Sequence, residues 1–134
     1  MGLGKLENKK IGVLGGSFDP AHIGHIKISK IAKKDYNLIQ VIWAITIQNP
    51  FKKNKPNDLY KRTAYAKKIN KRNKFIKVQC FDDIVKSNRT IDLIKYLKKK
   101  FKNTDIFFLM GADNLVNFHK WKGCNLITKM CKIL

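Results

Sequence analysis

A chain of 134 residues with a 44% hydrophobic share suits one domain around one core. Lysine and arginine number 29 against 9 acidic residues, a formal net charge of +20 with pI near 10.1, an excess that raises nucleic-acid binding as a hypothesis. No run approaches the ~20 apolar residues of a membrane span, and the polar start, residues 1–10, does not read as a secretory signal, so a cytoplasmic protein with no membrane partner is expected.

The charge itself argues against a nucleic-acid partner. Arginine occurs only at Arg62, Arg72 and Arg89, whereas base recognition and phosphate clamping favour the planar arginine fork. The lysines run from end to end and form no single stripe among aromatics, as expected of solvated surface. Cys80, Cys124 and Cys131 match no zinc spacing and read as reduced thiols.

In chain order, Ile11-Gly12-Val13-Leu14 is a short apolar run ending at Gly15-Gly16, a strand meeting a tight turn. From His22 to Lys34, apolar Ile23, Ile26, Ile28, Ile31 and Ala32 recur near helical spacing. Val41 to Ile47 is continuously apolar, as expected of a strand covered on both faces. A polar loop with Pro50 and Pro56 follows. A second helix is expected from Leu59 to Asn70, with Leu59, Ala66 and Ile69 inward, and a third strand from Phe75 to Phe81. Thr90 is placed as the N-cap of a third helix, with Asp92 in its first turn. Ile91, Ile94, Leu97 and Phe101 would be its buried side, and Lys95 and Lys99 its wet side. Ile106 to Met110 is a fourth strand, ending at Gly111.

This alternation predicts an α/β fold: a Rossmann-like parallel sheet of four to five strands flanked by helices. In such sheets ligands lie beyond the carboxyl ends of the strands, near the switch in strand order. The strongest local signal sits there: Gly15-Gly16-Ser17-Phe18-Asp19-Pro20-Ala21-His22-Ile23-Gly24-His25. The two glycines would let the backbone turn off the strand, and the next helix would aim free N–H groups and its positive end at a phosphate. His22 and His25, three apart, would project from one face and could both donate to a phosphate as charge grows on it. Gly24 would keep a side chain from crowding a nucleotide. Neither the G-x-G-x-x-G fingerprint nor a zinc-binding His-Glu-x-x-His helix occurs.

This run resembles the His-x-Gly-His nucleotidyltransferase superfamily, and in detail its nicotinate-nucleotide adenylyltransferases. Gln48-Asn49-Pro50-Phe51-Lys52, Thr90-Ile91-Asp92-Leu93 and Gly111-Ala112-Asp113-Asn114-Leu115, followed by Phe118 and Trp121, resemble later motifs of that family. The resemblance implies transfer of adenylyl from ATP to nicotinate mononucleotide, giving deamido-NAD and pyrophosphate, with Mg²⁺ accompanying ATP. It implies that His22 and His25 act at the α-phosphate, with Gly16, Ser17, Phe18 and Gly24 around ATP. Gly111 and Asp113 would border the adenosine, Trp121 would stack on the nicotinate ring, Thr90 would lie at the mononucleotide pocket and Lys52 would meet a substrate phosphate.

Phe51 stands where many family members carry histidine. The family's pattern also continues beyond Lys132-Ile133-Leu134, which reads as the start of a further strand. Residues 1–134 are therefore expected to form a single nucleotidyltransferase domain lacking the family's C-terminal strand, helix and phosphate-gripping arginine segment, with weaker ATP binding as the consequence. Two alternatives stay open: another phosphate acceptor such as phosphopantetheine, or an inactive remnant or basic nucleic-acid-binding protein.

Overall fold

The computed structural model describes residues 9–46, 59–87, 89–110 and 132–133. Strands β1 (Lys9–Gly16), β2 (Gln40–Ile45), β3 (Ile76–Gln79), β4 (Thr104–Leu109) and β5 (Lys132–Ile133) alternate with helices α1 (Ile23–Tyr36), α2 (Leu59–Ile69), α3 (Asp82–Val85) and α4 (Thr90–Lys100). They form one sheet in the order β3-β2-β1-β4-β5, and every pairing is parallel. The expected Rossmann-like sheet of four to five strands has five, the last being the short run foreseen at Lys132-Ile133.

The continuous apolar runs resolve into two alternating sets, because successive strand side chains point to opposite faces. Ile11, Val13, Ile42, Ala44, Ile106 and Phe108 pack on one face with Ile91, Ile94 and Leu97 of α4. Leu14, Val41, Trp43, Ile45, Phe107 and Leu109 pack on the other with Ala32 of α1 and Ala66 of α2. The chain thus lays α1 and α2 on one face of the sheet and α4 on the opposite one. β1 lies at the centre, between β2 and β4, where the strand order reverses.

Several local expectations are corrected. Glycine does not make the turn after β1: the strand runs through Gly16, and the left-handed residue is Phe18, with φ 50°. Ile23 and Ile31, two of the apolar positions that suggested the helix, are 71% and 59% exposed. Ser29 and Ala32 are the buried residues of α1, with Ile26 and Ile28 packed partly against the same face, and a position two beyond Ser29 is rotated by about 200°, toward water. Thr90 is the first residue of α4 rather than its cap. The cap position is Arg89, which makes no side-chain cap hydrogen bond. Asp92 does sit in the first turn, and its Oδ2 accepts from the Ser87 hydroxyl at 2.6 Å. The inner face of α2 contains Arg62 as well as Ala66. The α4 stripe holds: Ile91, Ile94 and Leu97 are buried, Phe101 is half-buried, and Lys95 and Lys99 are exposed.

Candidate active site

The carboxyl end of β1 leads into Ser17, Phe18, Asp19 and Pro20, with a cis Asp19–Pro20 peptide, and then into His22 at the start of α1. His22 has extended backbone (φ −149°, ψ 177°) and is the N-cap. Its ring Nδ1 accepts from the Gly24 N–H at 3.1 Å. His25, three residues on, returns the bond: its Nδ1 accepts from the His22 N–H at 3.0 Å. This is a capping box in which imidazoles replace the usual hydroxyl and carboxylate.

The bonds settle which nitrogen carries hydrogen. An amide N–H can only donate, so each Nδ1 must be an acceptor and each neutral ring carries its hydrogen on Nε2. The two rings lie side by side, centroids 3.9 Å apart at 34°, with His22 exposed and His25 half-buried. The expectation of two histidines on one face holds. Two of the α1 amides expected to face a phosphate are already engaged, the Gly24 N–H with the His22 ring and the His25 N–H with the His22 carbonyl at 3.0 Å. Both imidazoles instead hold a ring N–H clear of the backbone bonds that fix them. Gly24 has a nearer reason than space for a nucleotide: a Cβ there would lie 2.8 Å from His22 Cε1 and 2.9 Å from its Nδ1.

Behind the pair stands an aromatic stack that the sequence reading did not single out. The Phe18 ring lies 4.6 Å from that of His25 and stacks on Trp43 at 5.0 Å and 18°. Trp43, which meets His25 edge-on at 5.7 Å, is fully buried. Its Nε1–H donates to Ser29 Oγ at 2.8 Å, and the Ser29 hydroxyl donates to the His25 carbonyl at 2.9 Å. His25 is therefore steadied through its ring, its Nδ1 and its carbonyl. The sequence signal for Trp43 was an indole N–H inside an otherwise apolar strand, a group that must find an acceptor when buried.

Arg62 was also missed. It is 3% exposed, and one Nη1 donates to the Ser17 carbonyl at 2.8 Å and to the Thr46 carbonyl at 2.7 Å. It stands three residues after Leu59 and four before Ala66, on the apolar stripe of α2, and a cation on such a stripe is a signal in itself.

Gly16, Ser17, Phe18, His22, Gly24 and His25 thus converge at one sheet corner. Thr90, half-buried, opens α4. Lys52, Gly111, Asp113 and Trp121 lie outside the described residues. Among the described residues no group of three His, Cys, Asp or Glu side chains could hold a metal, and no helix is long and apolar enough to cross a membrane.

Residues 13–134 match the family model of cytidylyltransferase-like proteins. A Pelagibacter ubique protein named "Probable nicotinate-nucleotide adenylyltransferase" is 57% identical over 125 residues, covering 93% of this chain and 69% of that one. The chain belongs to this adenylyltransferase family. A relative of the same name from a Ruegeria species is 37% identical over 84% of the chain, which spans 59% of its length. Among solved structures, the Plasmodium falciparum nicotinic acid mononucleotide adenylyltransferase complexed with NaAD superposes with a TM-score of 0.73 at 22% identity, covering 89% of this chain and 60% of that one. That likeness carries the fold, and the family membership makes this chain a nucleotidyltransferase by descent.

Proposed function

We propose that the chain transfers the adenylyl group of ATP to nicotinate mononucleotide, giving deamido-NAD and pyrophosphate. The observation that carries this reading is the interlocked pair His22–His25, whose Nδ1 atoms accept backbone N–H groups and so fix two imidazoles side by side at the carboxyl edge of the sheet. A phosphate oxygen of the mononucleotide attacks the α-phosphorus of ATP. The bond from that phosphorus to the β-phosphate bridging oxygen breaks, and pyrophosphate leaves with the electron pair. Because the attacking group belongs to the substrate, the protein need only align the partners and stabilise charge. His22 and His25 donate to the oxygens of the α-phosphate, which gain charge in the transition state, and their positions are fixed before ATP arrives.

The described residues offer nitrogen donors rather than a carboxylate cage, which fits a Mg²⁺ ion held mainly by ATP phosphates and water. Such an ion would neutralise charge on the departing pyrophosphate. Gly16, Ser17, Phe18 and Gly24 shape the ATP side, and by family resemblance Gly111 and Asp113 border the adenosine. Thr90, Trp121 and Lys52 are assigned to the mononucleotide on the same ground.

The test is pyrophosphate release by the purified chain from Mg·ATP, with nicotinate mononucleotide, nicotinamide mononucleotide or phosphopantetheine as acceptor. Product is expected with nicotinate mononucleotide. Faster product with phosphopantetheine overturns the acceptor, and no pyrophosphate with any of the three overturns adenylyl transfer by this chain.

A further inference from the structure

Among the described residues Arg62 is a buried cation that the reaction above does not use. It rises from α2 beneath the sheet's carboxyl edge, and its Nη1 bridges the carbonyl of Ser17, just past β1, and that of Thr46, just past β2. The same two loops are joined again where the Thr46 N–H donates to the Gly16 carbonyl at 2.9 Å. The Ser17 carbonyl and the Phe18 N–H belong to one planar trans peptide, so they point in opposite directions. Holding the oxygen down on Arg62 turns the Phe18 N–H away from α2. The next residue bears the conformational cost, since Phe18 takes a left-handed φ of 50° that a non-glycine residue avoids. A flip of the Ser17–Phe18 peptide would relieve that strain, and it would also turn a carbonyl oxygen toward the side the amide now faces. The charge-assisted hydrogen bond from the desolvated guanidinium to the Ser17 carbonyl opposes the flip, and the second bond, to the Thr46 carbonyl, holds the guanidinium in place for it.

We propose that Arg62 is a positioning residue for the nucleotide triphosphate: it locks the Ser17–Phe18 peptide with its oxygen inward and its N–H toward the phosphates, beside the His22–His25 pair. The inference rests on the ATP-site reading above, but its structural half stands without ligand. Arg62→Lys is the decisive variant. It keeps the charge, but its stem is one atom shorter, so a single ammonium cannot reach both carbonyls at the observed lengths. Arg62→Met removes the charge as well.

The experiment records the Phe18 amide resonance of ¹⁵N-labelled wild type, Arg62→Lys and Arg62→Met, first without ligand. It then titrates inorganic tripolyphosphate and ATP, with nicotinate mononucleotide as a control, and far-UV circular dichroism reports folding. In Arg62→Lys, folded like wild type, the Phe18 resonance is expected to shift or split. Tripolyphosphate and ATP should bind about tenfold more weakly, the scale of one charged hydrogen bond, with the mononucleotide unchanged. Arg62→Met should lose more than Arg62→Lys. A folded Arg62→Lys with an unmoved Phe18 amide and wild-type ATP affinity overturns the proposal, because charge alone would then suffice. Wild type that binds tripolyphosphate but makes no dinucleotide removes the proposed reaction and leaves the role of Arg62 standing. Wild type that binds neither polyphosphate removes the ATP site, and the ligand-free Phe18 resonance still decides whether Arg62 holds the peptide.

Discussion

Two helices, α1 and α4, begin at the same edge of the sheet and are finished in opposite ways. α1 has no acidic residue in its first turn, and its cap is a pair of imidazoles that present ring N–H groups. α4 carries Asp92 in its first turn, where the carboxylate takes the Ser87 hydroxyl and lies over the positive end of the helix. Ser87 Oγ in turn accepts from the Arg89 N–H at 3.1 Å, so this start is bordered by a carboxylate and a hydroxyl. A helix N-terminus is therefore not an anion site by position alone. The side chains of its first turn decide whether donors or acceptors face the ligand.

The most severe way to break the contrast is to remove a donor. His25→Ala should lower adenylyl-transfer kcat by about 10²–10³, as loss of one preorganised donor does, with ATP affinity changing less. A kcat within about twofold of wild type would take His25 out of the reaction. Next is the support behind the pair. Ser29→Ala leaves the Trp43 indole N–H buried without its acceptor and removes the hydroxyl's bond to the His25 carbonyl, so thermal unfolding should show a loss of about 1–3 kcal/mol. Trp43→Phe removes the donor but leaves part of the indole's buried space empty, so it should cost at least as much as Ser29→Ala. A smaller cost for Trp43→Phe would mean that the stranded N–H outweighs the lost packing.

A subtler probe is Gly24→Ala. Alanine is favoured over glycine in a helix by about 1 kcal/mol, yet its Cβ would strike the His22 ring. Stability should change by less than about 1 kcal/mol, while kcat/KM for ATP falls about tenfold as the ring leaves its cap. Unchanged kcat/KM would show that His22 need not sit where the cap holds it. The smallest effect belongs to the other helix. Asp92→Asn should cost about 0.3–1 kcal/mol of stability through the helix dipole, measurable by denaturant unfolding, and should leave ATP affinity unchanged. Tighter ATP binding would mean that the carboxylate repels the nucleotide across the edge.

The order of elements was legible because a parallel sheet covered on both faces leaves unbroken apolar runs such as Val41–Ile45, and α4 because Ile91, Ile94 and Leu97 keep one period throughout. The histidine pair was legible from spacing after a first strand. What stayed hidden depends on contacts between distant segments. Arg62 meets Ser17 across 45 positions, and no local pattern discloses a carbonyl waiting above a helix stripe. Phe18 holds the left-handed turn because its ring is gripped by Trp43 and His25, whereas local preference assigned that turn to glycine. Ile23 and Ile31 misled for the converse reason: hydrophobic character counts toward a periodic pattern whether or not a neighbour exists to cover it.

The central place of β1 has a consequence for how the molecule is made. β1 pairs Lys9 with Thr104 and Leu14 with Leu109, so the strand that anchors the sheet is synthesised long before one of its two neighbours. At ~5–20 residues per second on a ribosome, β4 emerges roughly 5–20 s after β1. During that interval β1, β2, α1 and α2 can gather around Trp43 and Phe18, while Phe107 and Leu109 of β4 join that face only later. The face holding Ile11, Val13 and Ile42 still awaits α4. Both faces of the nascent sheet thus wait for β4, the second for α4 as well, and the segments that carry the histidines are the first to be made.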